Sequence, residues 1–396
     1  MTMPSCDCTL IIPTLNRRTV LESTLRRIAA LPDRGYEVIV VDNGSNDDLV
    51  ELRRSFPRVR WIELGRNLGC AARNVGAAAA GGELLLMLDD DSWPAAGTID
   101  RLRKVFAAEP SLGAAACRVR LADPPHRHDA GGVPGVFFNC GGAVRRAAFM
   151  EAGGYPIDFE YYVEEYELCC RLLKLGWSVR PRGDLVVYHG RVAVNRDNNN
   201  MLRLLVRNNL RLWDRHAPAD MRDDLIAETL DRYRRVARKE NAIAGFEAGV
   251  KAGRAALAEA TTRPSPLSHA AFSSLFGLDA ANEAVQSWAD NERVERVAVW
   301  SRGKGCEQLI DVLAASNICV DAVFDDPADA SQWRSVALRP THAFMPDEVA
   351  GIVVGSLSPG IAEDLADELR ERFPALPILS AAPWDGVAAR EFKLTA

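Results

Sequence analysis

Over the first 120 residues, apolar and polar positions alternate between two periods. Short, nearly continuous apolar runs at 9–12, 37–41, 59–64 and 84–88 predict strands. Between them, apolar residues recur at helical spacing over 17–30, 47–55 and 70–80. Strands that are apolar almost throughout, each followed by a helix, imply a mostly parallel sheet covered on both faces, a doubly wound α/β architecture. A polar cluster follows each strand, at 13–16, 42–46, 65–69 and 89–92. Ligands of such sheets bind beyond the carboxyl ends of the strands, so the site is expected at that edge.

The pattern changes downstream. The segment DPPHRHDAGGVPG at 123–135 is dense in proline and glycine and reads as a loop. Its His126 and His128 could serve a metal or an acceptor, but incidental histidines on a solvated loop are the favoured reading. Mixed structure returns at 136–190, and residues 200–260 are mostly helical with Arg/Lys-rich faces and apolar Leu225, Leu230, Tyr233 and Val236. Such helices pack one face and solvate the other; a binding face or rest on a membrane surface is the alternative. TTRPSPLS at 261–268 reads as a linker. Strand-like runs at 297–300, 320–324, 352–355 and 377–379 then mark a second, smaller βα unit. The division expected is 1–195, a helical extension 196–262, a linker with a connecting helix 263–289, and the second unit 290–396.

Composition narrows the classes. The 396 residues exceed one ordinary core, since domains run to roughly 100–200 residues. With 48% hydrophobic and 26% charged residues the chain suits large globular cores. A net charge of −6 gives no global support to a nucleic-acid partner. The nine cysteines are irregularly spaced and read as buried reduced thiols. There is no basic n-region followed by a long apolar stretch, and no run of about 18 apolar residues. A cytoplasmic protein is expected, with peripheral contact at the inner face of the membrane left open.

The strongest local chemistry is LLLMLDDDSW at 84–93. Three carboxylates at one strand end repel unless a cation neutralises them. Mg²⁺ or Mn²⁺ commonly bridges a protein carboxylate to a diphosphate and screens charge on a departing one. Taken alone, the triplet is equally an acidic surface turn.

Context decides between these readings. TLIIPTLNR from Thr9, VVDNGSND from Val40 and RNLGCAARNVG from Arg66 precede the triplet in that order. Together these segments resemble family 2 of the glycosyltransferases, densely over 9–92 and on to about 190. The resemblance implies a GT-A fold and transfer of a sugar from a nucleotide diphosphate to an acceptor hydroxyl. It places Pro13, Thr14, Asn16, Arg17, Asp42, Asn43, Gly44, Asn67, Arg73, Asp89 and Asp90 on the nucleotide sugar. It makes Asp89 and Asp91 the ends of a DxD element, with Asp91 the direct ligand of Mn²⁺ or Mg²⁺. Each residue also has a plainer reading: Asp42 as a turn aspartate in DNGS, Arg73 as a solvent-facing helix arginine, Gly69 and Gly76 as sites of close helix–strand approach.

On the acceptor side, GGYP at 153–156 and DFEYYVEEYELCCRLLKLGW at 158–177 resemble the helix that bears the family's catalytic base. The helix dipole favours ionised carboxylates at its start, and such a carboxylate can take a proton from an attacking hydroxyl. One displacement inverts the anomeric centre. The sequence departs from the family here, with Glu165 where aspartate is expected. Glu165 is assigned as base and Glu164 as the residue orienting the acceptor; solvated glutamates of a first helical turn are the plain alternative. His189, after the run LVVY, is placed in the metal shell by the resemblance.

SRGKGCEQ at 301–308 follows a predicted strand. Gly303 and Gly305 match two glycines of a dinucleotide fingerprint, Gln308 stands at the third, and Asp325 or Asp326 ends the next strand. The unit looks like Rossmann-type domains attached to sugar-processing enzymes; docking or a structural, homo-oligomerising role is preferred to cofactor binding. A sugar nucleotidyltransferase would carry a glycine-rich phosphate loop after its first strand, where this chain has IPTLNRR. A catalytically inactive nucleotide-sugar-binding module is the rival from another class. The RNLG…ARNVG segment resembles bacterial rhamnosyltransferases using dTDP-rhamnose, while related enzymes use UDP-sugars. The acceptor, whether glycan, lipid-linked or a small molecule, is not specified.

Overall fold

The computed structural model describes residues 7–124, 126–129, 131–191, 197–260, 263–327 and 330–385. The first unit runs β1 (Cys8–Thr14), α1 (Arg18–Ala29), β2 (Tyr36–Asp42), α2 (Val50–Ser55), β3 (Arg60–Glu63), α3 (Ala72–Ala79) and β4 (Leu84–Met87). It continues through β5 (Ser92–Pro94), α4 (Thr98–Ala108), β6 (Leu112–Leu121), β7 (Gly142–Arg145), α5 (Arg146–Glu151), α6 (Glu164–Lys174) and β8 (Ser178–His189). The eight strands form one sheet in the order β3-β2-β1-β4-β7-β6-β8-β5. β1, β2, β3 and β4 pair in parallel, as do β6 and β8. β7 is reversed between β4 and β6, and β5 runs against β8. The sheet is therefore mixed, with a parallel half where the apolar runs alternate with helices.

Both faces of that half are covered. Ile11, Ile39, Val41, Leu85 and Met87 enter one core, and Leu10, Ile12, Val38, Val40, Leu84 and Leu86 the other. Each such side chain contributes about 1.5–3 kcal/mol on burial, which is why these strands carry apolar residues on both faces. Gly76 of α3 sits where a Cβ would meet Ile11 Cγ2 at 2.6 Å, so it brings α3 onto β1 as expected. Gly69 does not serve that purpose: with φ +60 it faces the backbone of Glu160, and Cys70 N donates to the Glu160 carbonyl at 2.8 Å.

α7 (Asn198–His216), α8 (Arg222–Lys239) and α9 (Ile243–Glu259) follow. One face of this helical segment is packed, as its apolar positions predict. Leu202, Val206, Leu210, Ala237 and Phe246 bury a core among the three helices, packed by Leu230, Tyr233 and Val236, while Leu225 joins the main core. Asp197 caps α7, accepting from Asn199 N at 2.9 Å and Asn200 N at 3.1 Å. The expected boundary at 195/196 lies outside the described residues. The connection to the second unit contains two helices rather than one, α10 (His269–Phe276) and α11 (Leu278–Glu292), split at Gly277 with φ +67.

The second unit holds β9 (Arg296–Trp300), α12 (Cys306–Ala315), β10 (Cys319–Phe324), β11 (Gln332–Trp333), β12 (Val336–Arg339), β13 (Ile352–Val354), α13 (Pro359–Arg372) and β14 (Ile378–Leu379). Its sheet order is β11-β12-β10-β9-β13-β14, parallel except for β11. The two units are fastened together. His128, expected on a solvated loop, is buried, with its backbone N and Nδ1 at 2.8 and 2.7 Å from the two carboxylate oxygens of Asp364 on α13. His126 lies against the Leu121 carbonyl at 3.0 Å. Neither histidine joins a metal-ligating group among the described residues. Seven of the eight described cysteines are buried and Cys319 is exposed. No described helix is long and apolar enough to cross a membrane.

Candidate active site

The carboxyl ends of β1 and β4 meet at the aspartate triplet, and the three side chains diverge. Asp90 turns inward: Thr14 Oγ1 donates to its Oδ2 at 2.9 Å and Arg17 Nη1 lies 2.7 Å from its Oδ1. Burial pushes its carboxyl up to about 7, only partly offset by Arg17 and Thr14. Asp90 thus ties the β1–α1 loop to the triplet. Asp89 pairs with Arg73, which also donates to the Leu88 carbonyl at 3.0 Å. Arg73 is buried, not solvent-facing. Asp91 takes Arg17 Nη2 at 2.9 Å on Oδ2 and faces His189 Nε2 at 3.1 Å through Oδ1.

His189 ends β8, and the β5–β8 pairing sets Ser92 opposite it. That register brings Asp91 and His189 together. The other ring nitrogen, Nδ1, is 2.5 Å from Asp129 Oδ2. Burial alone would lower the pKa of His189, but Asp129 and Asp91 raise it to about 10; a cation held by Asp91 would have to displace the proton on Nε2 to gain this ligand. The ligating atoms of Asp89, Asp91 and His189 all lie within 4.8 Å of one another. Asp129, Cys140 and His189 form a second such group. Hard divalent cations prefer carboxylate oxygens to a thiol, so the first group is the better donor set for Mn²⁺ or Mg²⁺.

The acceptor-side carboxylates begin α6, as expected, but they are buried rather than solvated. Asn139 Nδ2 donates to Glu164 Oε1 at 2.9 Å, and Asn139 backbone N donates to Glu165 Oε1 at 3.3 Å. Burial raises both carboxyl groups; the neighbouring Glu165 adds to the rise at Glu164, while the Glu165 and Asn139 backbone N–H groups oppose it at Glu165. Glu167 goes the other way. Burial would raise it, but His216 and Arg171 hold it below the usual carboxylate range. The approach to α6 is strained: Glu160, Tyr162 and Val163 have φ 64, 68 and 71. A β-branched or aromatic residue at positive φ is costly. Asn208 on α7, fully buried, compensates by placing Nδ2 within 2.9, 2.9 and 2.8 Å of the carbonyls of Phe159, Tyr161 and Tyr162.

These groups open into one cleft of about 890 Å³. It is lined by Pro13, Thr14, Asn16, Arg17, Asn43, Asn67, Arg73, the aspartate triplet and His189, together with Glu164 and Glu165. Asn43 accepts from Leu68 N at 2.7 Å, and Asn67 accepts from Gly69 N at 2.8 Å. Asp42 and Gly44 are not on the cleft wall. Asp42 accepts from Ser45 N at 2.8 Å and faces Arg53 at 3.6 Å, as its turn reading expected, and Gly44 (φ +89) packs against the Arg66 backbone. Sequence reasoning missed Asp129, Asn139, Tyr161, Tyr162, Arg191, Arg232 and Lys304, all on the wall. Most are loop residues with no periodic signal; Arg232 is one arginine among several on α8.

The glycine loop of the second unit is filled by the chain itself. A Cβ on Gly303 would meet the Gly355 carbonyl at 2.7 Å, and one on Gly305 would meet Leu357. Asp325 is engaged by Arg302 at 2.7 Å, and Asp326 accepts from Thr341. The glycines serve close packing against the segment after β13.

An acidic strand end and a buried carboxylate pair thus share one cleft at the edge of an α/β sheet. Residues 9–129 match the model for Glycosyl transferase family 2. An "Uncharacterized glycosyltransferase" of Haemophilus influenzae is 33% identical over 105 residues, 26% of this chain and 35% of the relative. Bacillus subtilis "Uncharacterized glycosyltransferase YwdF" is 32% identical over 98 residues, 24% of this chain and 36% of that protein. The matched stretch therefore spans about a third of the length of these relatives. The crystal structure of S. aureus TarS in complex with UDP-GlcNAc aligns with 16% identity and TM-score 0.46, covering 57% of this chain and 72% of that one.

Proposed function

We propose that the chain is an inverting glycosyltransferase that moves a sugar from a UDP- or dTDP-linked donor to an acceptor hydroxyl. One observation carries this reading: Asp89, Asp91 and His189 line the same cleft as Glu164 and Glu165. A site for a diphosphate-bound cation thus faces a site for a base.

The donor set fits a divalent cation. Two carboxylates and an imidazole converge, and the imidazole is oriented through its other nitrogen by Asp129, the usual arrangement behind a metal-ligating histidine. The imidazole suits Mn²⁺ better than Mg²⁺, which prefers oxygen ligands and keeps several waters. When bound there, the cation would supply positive charge against the diphosphate as it departs. The protein's own residues do the rest. Arg73, held at the floor by the Leu88 carbonyl, keeps positive charge beside Asp89. The 13–17 loop, Asn43 and Asn67 form the wall against which the nucleoside would lie.

At the opposite wall, the acceptor oxygen attacks the anomeric carbon as the carbon–oxygen bond to the diphosphate breaks. The hydroxyl proton passes to the Glu165 carboxylate, and the nucleoside diphosphate leaves with the bonding electron pair. Glu164, fixed by Asn139, orients the acceptor. Burial raises the basicity of Glu165, which favours proton transfer near neutral pH. The test is the anomeric proton coupling of the product by NMR. An α-linked donor should give a β-linked product, and an α-linked product would overturn the single displacement.

A further inference from the structure

The second unit reaches into the cleft through the loop between β9 and α12. Lys304, Gly305, Glu307 and Gln308 line the same cavity as Asp91 and Glu165. Lys304 Nζ donates to the Gly131 carbonyl at 2.8 Å and stands 4.8 Å from the centroid of the Phe138 ring. It therefore grips both ends of the 131–138 segment, and the next residue, Asn139, donates to both Glu164 and Glu165. Among the described residues, no carboxylate forms an ion pair with Lys304, although Glu165 and Asp129 lie close enough to favour its charged form. The loop itself is anchored: Arg232 donates to the Gly303 carbonyl at 2.7 Å and pairs with Glu307 at 3.1 Å.

We infer that the second unit is a wall of the active site, and that Lys304 is a positioning residue for the carboxylate pair. It acts through the Phe138–Asn139 segment and by setting a positive charge opposite Glu165. This rests on the reading of Glu165 as the base. A docking peg would need no ammonium facing a cleft. Here the ammonium shares the cavity with the presumed base, and among the described residues it forms no ion pair with a carboxylate. Burial and Arg232 bring Lys304 down to about 8, against the pull of Glu165 and Asp129, so it is largely charged at neutral pH. The other charged groups interacting with Glu165 include Glu164 on α6, Arg73 on α3 and Asp89 after β4, with the neutral acids Cys70, Cys140, Tyr155, Tyr166 and Cys169 around it.

The experiment compares full-length wild type, Lys304→Met, Lys304→Arg and Asp364→Ala. Asp364 docks the second unit through His128, and neither residue lines the cleft. Carboxyl titration is followed by infrared difference spectroscopy and assigned with Glu165→Gln; nucleoside diphosphate release is measured with UDP-, dTDP- and GDP-sugars and Mn²⁺. Lys304→Met should move the Glu165 titration to higher pH and lower kcat at least tenfold, with donor KM within about twofold. Lys304→Arg should recover most of both. Asp364→Ala should lower Tm and leave both nearly unchanged. The inference is overturned if Lys304→Met titrates and turns over like wild type, or if Lys304→Met and Asp364→Ala behave alike. Should wild type release no nucleoside diphosphate, the transferase reading fails, and the titration still decides the role of Lys304.

Discussion

The Asn208 amide lies 2.8 Å from the carbonyl of Tyr162, a residue held at φ 68 two positions before α6. One buried side chain on the helical extension thus fixes the strained turn that aims Glu164 and Glu165. Asn208→Ala leaves three carbonyls without this donor. A loss of about 1–3 kcal/mol in unfolding free energy is expected, with a fall in transfer rate at unchanged nucleotide affinity. Urea denaturation and steady-state kinetics check both; unchanged transfer would mean the turn holds without Asn208.

Glu165→Gln keeps the size of the side chain and removes the proposed base. Transfer should fall about 10²–10⁴-fold, with nucleoside diphosphate affinity near that of wild type. The pH dependence has a definite sign. The base acts ionised, and burial raises its carboxyl above the ordinary value of 4.5. Activity should therefore climb with pH through a value above 4.5, and this limb should vanish in Glu165→Gln. A pH–rate profile with a limb at an ordinary carboxylate value would contradict the burial argument.

Asp129 orients His189 without belonging to the preferred ligand set. Asp129→Asn should weaken Mn²⁺ binding about 10–100-fold, measured by electron paramagnetic resonance titration. Retained affinity would remove His189 from the shell or Asp129 from its support.

Glu228 on α8 tests the junction between the units through stability. Burial, then the charge of Glu307, raises its carboxyl from 4.5 to about 7. The folded state therefore favours the protonated form. The associated stability is fully present below pH 4.5 and is lost as pH rises from 4.5 through 7. Glu228→Gln should raise Tm relative to wild type at pH 8, with the difference shrinking toward zero at pH 4. A lower Tm for the variant at pH 8 would show that its contacts with Arg334 and Gln308 outweigh the burial of charge.

The cleft wall that carries the aspartate triplet is legible in the sequence because it is built locally. The apolar runs of β1, β2 and β4 each end in the polar residues that line the cleft, so strand and site are read together. Arg73 lies on the face of α3 that looks toward the triplet, and its partner Asp89 was already singled out. The acceptor half is assembled by long-range packing. Asn139 comes from a glycine-rich stretch without periodicity, Asn208 looks like any polar residue of an arginine-rich helix, and Lys304 belongs to another unit. His128 shows the same limit in reverse: its loop reads as solvated, yet Asp364, 236 residues later, buries it. β11 and β12 escaped prediction because QW and VALR each include a polar residue and lack the wholly apolar run that marks β4 or β13.

The central claim is turnover of a nucleotide sugar at this cleft. The most direct measurement incubates the full chain with UDP-, dTDP- and GDP-sugars, Mn²⁺ and a panel of glycan, lipid-linked and small-molecule acceptors, and records nucleoside diphosphate release. At least one donor should be consumed, with dependence on Mn²⁺ and strong loss in Asp91→Ala and Glu165→Gln. Binding of a nucleotide sugar with no release from any donor would contradict the account and make the chain a nucleotide-sugar-binding module.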